Sequence, residues 1–248
     1  MFEGKNILIV GASGDLGFCM AELLSHYKVK IGAHYCQCKE KLQDIEGEYN
    51  LAEVKLLTGS IVDKNASQKL INEFVEWAGG IDYLIQLSGT INRPGQWDDL
   101  NQEDWDKDIA INLAGPFFLA QEAMKHMKKN GGKIVLCSTA SASHGGGITS
   151  MAYGAAKAGI ECVTKGFAKI GGKHNVCVNA VAPGFISTKF HTEKMKRSEQ
   201  ELAERANLVP LGRAGTPEDV AKTIRFLLSP AGDYVTGEVI AISGGDWI

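Results

Sequence analysis

Tyr153 and Lys157 are the residues of this sequence whose types and spacing point most directly to chemistry. Four residues apart on a helix, their side chains share one face and can reach one reacting group. A free tyrosine has a pKa of about 10 and rarely loses its proton at neutral pH. A neighbouring ammonium favours the phenolate, and a shift of about 3 units corresponds to about 4 kcal/mol. Such a phenol can exchange a proton with a carbonyl/alcohol couple. Taken alone, the pair also arises by chance on solvated helices. Its neighbours Gly154, Ala155, Ala156, Ala158 and Gly159 are small and allow close packing against this helix.

Three further constellations accompany the pair. The run Gly11-Ala12-Ser13-Gly14-Asp15-Leu16-Gly17 follows an apolar stretch and opens a helical pattern. A strand, a glycine turn and a helix start aim free N–H groups at a pyrophosphate, although such a run also serves as a plain tight turn. The stretch Ser138-Thr139-Ala140-Ser141-Ala142-Ser143 stands at the end of a strand pattern, where open α/β sheets bind ligands or where an ordinary loop begins. Inside the helical pattern Asn101–Lys129, Pro116 follows Asn112 by four residues and offers no N–H to its carbonyl. The helix should kink there, either to fit the sheet or to leave a carbonyl and an amide that hold a water.

These groups need a frame. Seven short apolar runs, Asn6–Val10, Val29–Ala33, Val54–Leu57, Tyr83–Leu87, Lys133–Cys137, Val176–Ala182 and Glu238–Ile242, are nearly continuous and rich in β-branched residues. Strands covered on both faces read this way. Helical stripes such as Leu16, Met20, Leu23, Leu24 and Leu70, Phe74, Trp77 lie between them. The alternation predicts an α/β fold, a single-domain Rossmann-type, doubly wound parallel sheet of about seven strands with helices on both faces, spanning 1–248. The segment Ser187–Asn207 is dense in Lys, Glu and Arg, with Phe190, Met195 and Leu202 as its few anchors. It reads as a solvated amphipathic helix or as a lid over a pocket.

Composition excludes several classes. The 248 residues carry 26 basic and 29 acidic side chains, so no basic excess points to nucleic acid. No apolar run approaches the roughly 18 residues of a membrane span, and the N-terminus lacks the layout of a signal peptide. The six scattered cysteines read as reduced thiols of a cytoplasmic protein. His34, Cys36 and Cys38 lack the spacing of a zinc site, and no metal is expected.

In this order, glycine turn, Asn, hydroxyl and Tyr-x-x-x-Lys, the chain resembles the short-chain dehydrogenase/reductase family. Asn179-Ala180-Val181-Ala182-Pro183-Gly184, Pro210-Leu211-Gly212-Arg213 and Thr236-Gly237 extend the likeness over the whole length. The segment Pro210–Ala221 is most similar to the branch that includes 3-oxoacyl-carrier-protein reductases. The resemblance implies hydride transfer between a nicotinamide and a carbonyl or secondary alcohol. It implies Tyr153 as acid/base, Lys157 as the residue that lowers its pKa and holds the ribose, Asn112 as holder of a relay water, and Thr139 as the substrate hydroxyl. Ser138 and Ser141 are alternatives for that hydroxyl. The implied cofactor contacts are Gly11, Ser13, Gly14, Asp15, Leu16 and Gly17 in the turn, His34, Ser60, Ser88 and Gly89 on the adenosine side, Tyr153 and Lys157, and Pro183, Gly184, Ile186 and Thr188 at the nicotinamide. A homotetramer or homodimer is implied as well.

The chain departs from the family pattern in several places. Asp15 stands at the usual middle glycine, Gln86-Leu87-Ser88-Gly89 replaces Asn-Asn-Ala-Gly, and Ser60 replaces an aspartate that meets the adenine. Asp15 can serve the helix dipole, but aimed inward it would repel a phosphate. The stretch His34–Lys39 holds no acid and one lysine, which favours NADP(H) over NAD(H). His144, with the glycines after it, reads as a flexible loop or, from its place before Tyr153, as a substrate contact. An alternative reading is a non-catalytic dinucleotide-binding sensor or assembly subunit. A sugar epimerase or dehydratase is disfavoured by the short C-terminal region.

Overall fold

A computed structural model of the chain describes residues 1–36, 39, 40, 42, 45 and 51–246. Seven strands, β1 (Asn6–Val10), β2 (Lys30–Tyr35), β3 (Glu53–Thr58), β4 (Tyr83–Gln86), β5 (Gly132–Cys137), β6 (Val176–Pro183) and β7 (Val239–Ile242), form one sheet in the order β3-β2-β1-β4-β5-β6-β7. All pairs are parallel, and each expected run lies within about two residues of its strand.

The register of β1 shows why the runs lack polar alternation. Ile7 and Ile9 face a core closed by Met20 and Leu24 of α1 (Asp15–Ser25) and by Val220, Ile224 and Leu227 of α7 (Pro217–Leu228). Leu8 and Val10 face the opposite core. That core is closed by Leu70, Ile71 and Phe74 of α2 (Lys64–Ala78), by Leu119 and Ala123 of α4 (Gly115–Met127), and by Ile160 and Phe167 of α5 (Met151–Gly171). Each such aliphatic or aromatic side chain removed from water stabilises the fold by about 1.5–3 kcal/mol. From β1 the chain winds outward through β2 and β3, then returns to place β4 on the other side of β1. The strand order therefore reverses between β1 and β4, and a crevice opens beyond their carboxyl ends.

Two expected elements differ in form. Asn101–Lys129 is not one helix. It consists of α3 (Gln102–Ile109), a π-helical turn Ala110–Ala114, and α4, with the Gly115 N–H donating to the Ala110 carbonyl. The widened turn absorbs the donor missing at Pro116. Ser187–Asn207 likewise divides into a π turn, Phe190–Lys194, and α6 (Glu199–Asn207), which starts at a Ser198/Glu201 capping box. Among the described residues no helix is long and apolar enough to cross a membrane.

Candidate active site

The glycine turn lies at the mouth of the crevice. Gly11 sits at φ +86°, and a Cβ there would stand 2.7 Å from the Ser88 nitrogen. A Cβ on Gly17 would stand 2.1 Å from the Gly11 carbonyl oxygen, so α1 can start this close to the turn only on a glycine. The first N–H groups of α1 have no partner within the helix and point beyond its N-terminus. Asp15, expected either to serve the dipole or to repel a phosphate, accepts a 2.7 Å hydrogen bond from the Lys189 N–H. It thereby ties the turn to the segment after β6.

A cavity of about 1150 Å³ extends from this turn to α5. Gly11, Ser13, Gly14, Asp15, Leu16 and Gly17 line it at one end. Gly89, Thr139, Tyr153, Lys157, Pro183, Gly184, Ile186 and Thr188 line the remainder, and so do the alternative hydroxyls Ser138 and Ser141. Four expected site residues do not line it. His34 is buried and its Nε2 donates to the Gly59 carbonyl at 2.9 Å. Ser60 is exposed, its hydroxyl accepting from the Val62 N–H. The Ser88 hydroxyl accepts from Gln86. Asn112 is buried behind the wall. Gln37 and Cys38 lie outside the described residues.

Around Tyr153 the hydroxyls separate by role. Ser138 is buried and donates to the Lys157 carbonyl at 3.0 Å and to Glu161 at 3.1 Å, so it fastens β5 to α5. Thr139 lies 3.3 Å from the Ser141 hydroxyl and 3.4 Å from the Pro183 carbonyl oxygen, and these two hydroxyls share the cavity wall. The Lys157 ammonium is buried, donates to the Cys137 carbonyl at 2.8 Å, and stands 5.6 Å from the centre of the Tyr153 ring.

Two expectations need correction. The first concerns the phenol. Burial pushes the Tyr153 pKa up rather than down, and Cys137 and Asp108 reinforce that direction. Burial also lowers the pKa of Lys157, against the pull of Cys137. Loss of hydration outweighs a cation that lies against the ring and spends a donor on Cys137. The second correction concerns Asn112. Its amide donates to the carbonyls of Thr90 and Asp108 at 2.7 and 2.9 Å, and its oxygen accepts from the Thr90 N–H at 3.1 Å. The side chain is therefore a strut between the loop after β4 and the π turn, with its amide spent on protein partners.

Several lining residues were not singled out as site residues by the sequence. Glu40 reaches the cavity just beyond the stretch read for cofactor choice, and Thr90 and Ile91 line it beside Gly89. His144 lines it as expected. Phe190, named only as an anchor, places its ring 6.1 Å from that of Tyr153. His191 follows, its ring 4.8 Å from that of Phe185. An isolated Phe-His pair in an otherwise charged stretch was the available signal.

The residues fit a dinucleotide. A glycine cradle that a single Cβ would fill opens into a cavity long enough to join it to Tyr153 and Lys157. Comparison with known proteins agrees. A family model described as enoyl-(acyl carrier protein) reductase matches residues 11–246. The 3-oxoacyl-[acyl-carrier-protein] reductase of Thermotoga maritima is 37% identical over 247 residues, covering 98% of each chain. The 2-dehydro-3-deoxy-D-gluconate 5-dehydrogenase of Escherichia coli is 34% identical over 251 residues, covering 99% of this chain and 96% of that one. A solved short-chain dehydrogenase/reductase from Mycobacterium ulcerans superposes with a TM-score of 0.87 at 24% identity, covering 98% and 90%, which speaks for the fold. Nothing in these likenesses favours the non-catalytic alternative, and the chain is an oxidoreductase that belongs to the short-chain dehydrogenase/reductase family.

Proposed function

We propose that Tyr153 is the acid/base of an NAD(P)-dependent reaction between a carbonyl compound and its secondary alcohol. One observation carries the assignment. Tyr153, Lys157 and Thr139 line the same cavity as the glycine turn. When bound, the nicotinamide supplies or accepts the hydride. The chain's own residues manage the oxygen and the proton. Thr139, with Ser141 beside it, donates to the substrate oxygen. A phenol held protonated by burial can give that oxygen its proton in the reduction. Lys157 holds the ribose, and a water on the Asn112 carbonyl connects the buried groups to solvent. Replacing Tyr153 by Phe should lower turnover by about 10²–10⁴-fold while dinucleotide binding, followed by fluorescence, persists. Unchanged turnover in that variant would remove the role.

The cofactor reading rests on opposed charges. The stretch His34–Lys39 favours NADP(H), while the Glu40 carboxylate suits an unmodified ribose diol and opposes a 2′-phosphate. The preference for NADP(H) is therefore small, and Glu40→Gln should enlarge it by about tenfold in the ratio of the two dissociation constants. A ratio that does not move would relieve Glu40 of this part. We also place the chain in the cytoplasm as a homotetramer or homodimer. The exposed small residues Ala155, Ala158 and Cys162 along α5 suit a helix–helix contact, and a monomeric mass by light scattering would refute it.

A further inference from the structure

The cavity wall beyond Thr188 is unevenly charged. The segment after Thr188 contributes Lys189, Lys194 and Arg197, and α6 contributes Arg205. Nearby carboxylates are engaged. Glu193 lies 3.8 Å from the Lys189 ammonium, and Asp246 pairs with Arg205. Glu201 accepts from the Ser198 amide and hydroxyl, and Asp15 accepts from the Lys189 N–H. Lys194 and Arg197 have no salt bridge or side-chain hydrogen bond among the described residues. Arg197 also lowers the Glu201 pKa from a distance, but with no carboxylate in contact the two cations that line the cavity create a local positive potential.

The backbone is bent to present them. Lys196 is one of only two non-glycine residues at positive φ among those described, at +54°. That turn brings the Arg197 N–H to the His191 carbonyl at 3.1 Å, one residue beyond Phe190, whose ring faces Tyr153. A left-handed lysine is disfavoured locally and persists where surrounding contacts hold it. The Arg197 guanidinium, a planar fork of donors, suits a carboxylate or phosphate.

The geometry points to a second recognition position in this cavity. The carbonyl compound that reacts at Tyr153 carries an anionic group, a carboxylate or a phosphate, which Lys194 and Arg197 hold. This rests on the oxidoreductase reading above and names the substrate class for it. The competing source of an anion is the dinucleotide itself, whose phosphates belong to the glycine turn.

The test compares keto acids of increasing chain length, each paired with its methyl ester, and keto phosphates paired with the parent hydroxyketones. For the best pair the wild-type protein should favour the anion in kcat/KM by about tenfold or more, and added salt should erode that ratio. In the double variant Lys194→Gln/Arg197→Gln the ratio should fall to within about threefold of unity through KM, with dinucleotide affinity unchanged. Whichever series gives the larger ratio identifies carboxylate or phosphate. Equal use of anions and neutral partners by the wild type overturns the anion position and leaves the oxidoreductase reading intact. So does a ratio the double variant preserves. Weakened dinucleotide binding in that variant assigns the cations to the cofactor and also overturns it. No turnover of any pair removes keto acids and keto phosphates as the substrate class, and the anion position with them, while the Tyr153→Phe comparison tests the acid/base reading separately.

Discussion

The two long walls of the cavity are built on opposite principles. The wall of β1, β5 and α5 is buried, and its polar groups find partners far away in sequence: Ser138 on Lys157 and Glu161, Lys157 on Cys137, Asn112 on Thr90. The wall made by 187–197 is largely exposed and attached by few bonds. Lys189 N–H donates to Asp15, and Ser187 N–H donates to the Gly215 carbonyl at 2.8 Å. Behind it lies a second hollow of about 710 Å³, lined by Phe18, Lys189, His191 and Pro217 among others. A fully satisfied polar network fixes positions to a fraction of an ångström, as proton transfer demands. A segment with few buried contacts opens at small free-energy cost, as substrate entry demands. The contrast suits the first wall to the proposed chemistry and the second to access and recognition.

The sharpest way to break this division is to disturb the rigid wall by one methyl. In Gly17→Ala the new Cβ would meet the Gly11 oxygen at 2.1 Å and the Ala12 Cα at 2.7 Å, both backbone atoms. Overpacking of this kind costs about 1–3 kcal/mol, and most of it should fall on the turn rather than on the whole fold. Dinucleotide affinity should therefore drop by about 30-fold in a fluorescence titration, with Tm lowered by only a few degrees. Undiminished affinity would show that the turn does not cradle the cofactor.

The two walls were also unequally legible in the sequence. Strands such as Asn6–Val10 were readable because a sheet covered on both faces needs uninterrupted apolar runs. Gly11, Gly17, Tyr153 and Lys157 were readable because their use depends on spacing within one element. Asn112 was only half readable. Pro116 marked the kink, but the partners of the amide lie on the loop after β4, 22 residues earlier in sequence. The direction of the Tyr153 shift was not readable at all, because it depends on burial and on Cys137 and Asp108, neither of them in the Tyr-x-x-x-Lys motif. Glu40 escaped for a similar reason, since no local pattern says which exposed loop residue faces a cavity.

The second wall should respond to pH through His191. Burial lowers the His191 pKa from its ordinary 6.5 to about 4, with Arg197 and Arg205 adding their repulsion. The folded segment thus prefers neutral imidazole. Between pH 6.5 and about 4 the opened segment binds more protons than the closed one, so closure is strongest above 6.5 and is lost as pH falls. Partial exposure of the ring discounts the effect to about 1–2 kcal/mol. Proteolytic cleavage within 187–197 should accelerate by about tenfold from pH 7 to pH 5, relative to sites in α2, and His191→Phe should flatten the response. A pH-independent cleavage ratio would detach His191 from closure.

The smallest expected effect tests the bond that joins the walls. Asp15→Asn keeps an oxygen to accept from the Lys189 N–H but removes its charge. A hydrogen bond to a charged group contributes about 1.5–3 kcal/mol against about 0.5–1.5 for a neutral pair, so about 1 kcal/mol is lost. The variant should then open the 187–197 segment about fivefold more often, raising its cleavage rate and the KM for substrate by that factor while kcat holds. The cofactor arm of the measurement gives a second sign. If the carboxylate is spent on Lys189, its neutralisation changes dinucleotide affinity little. If it faces the phosphates, affinity should rise when the charge goes, because a like charge has been removed from the helix N-terminus. Tighter cofactor binding with no change in cleavage would therefore move Asp15 from the tether to the phosphate site.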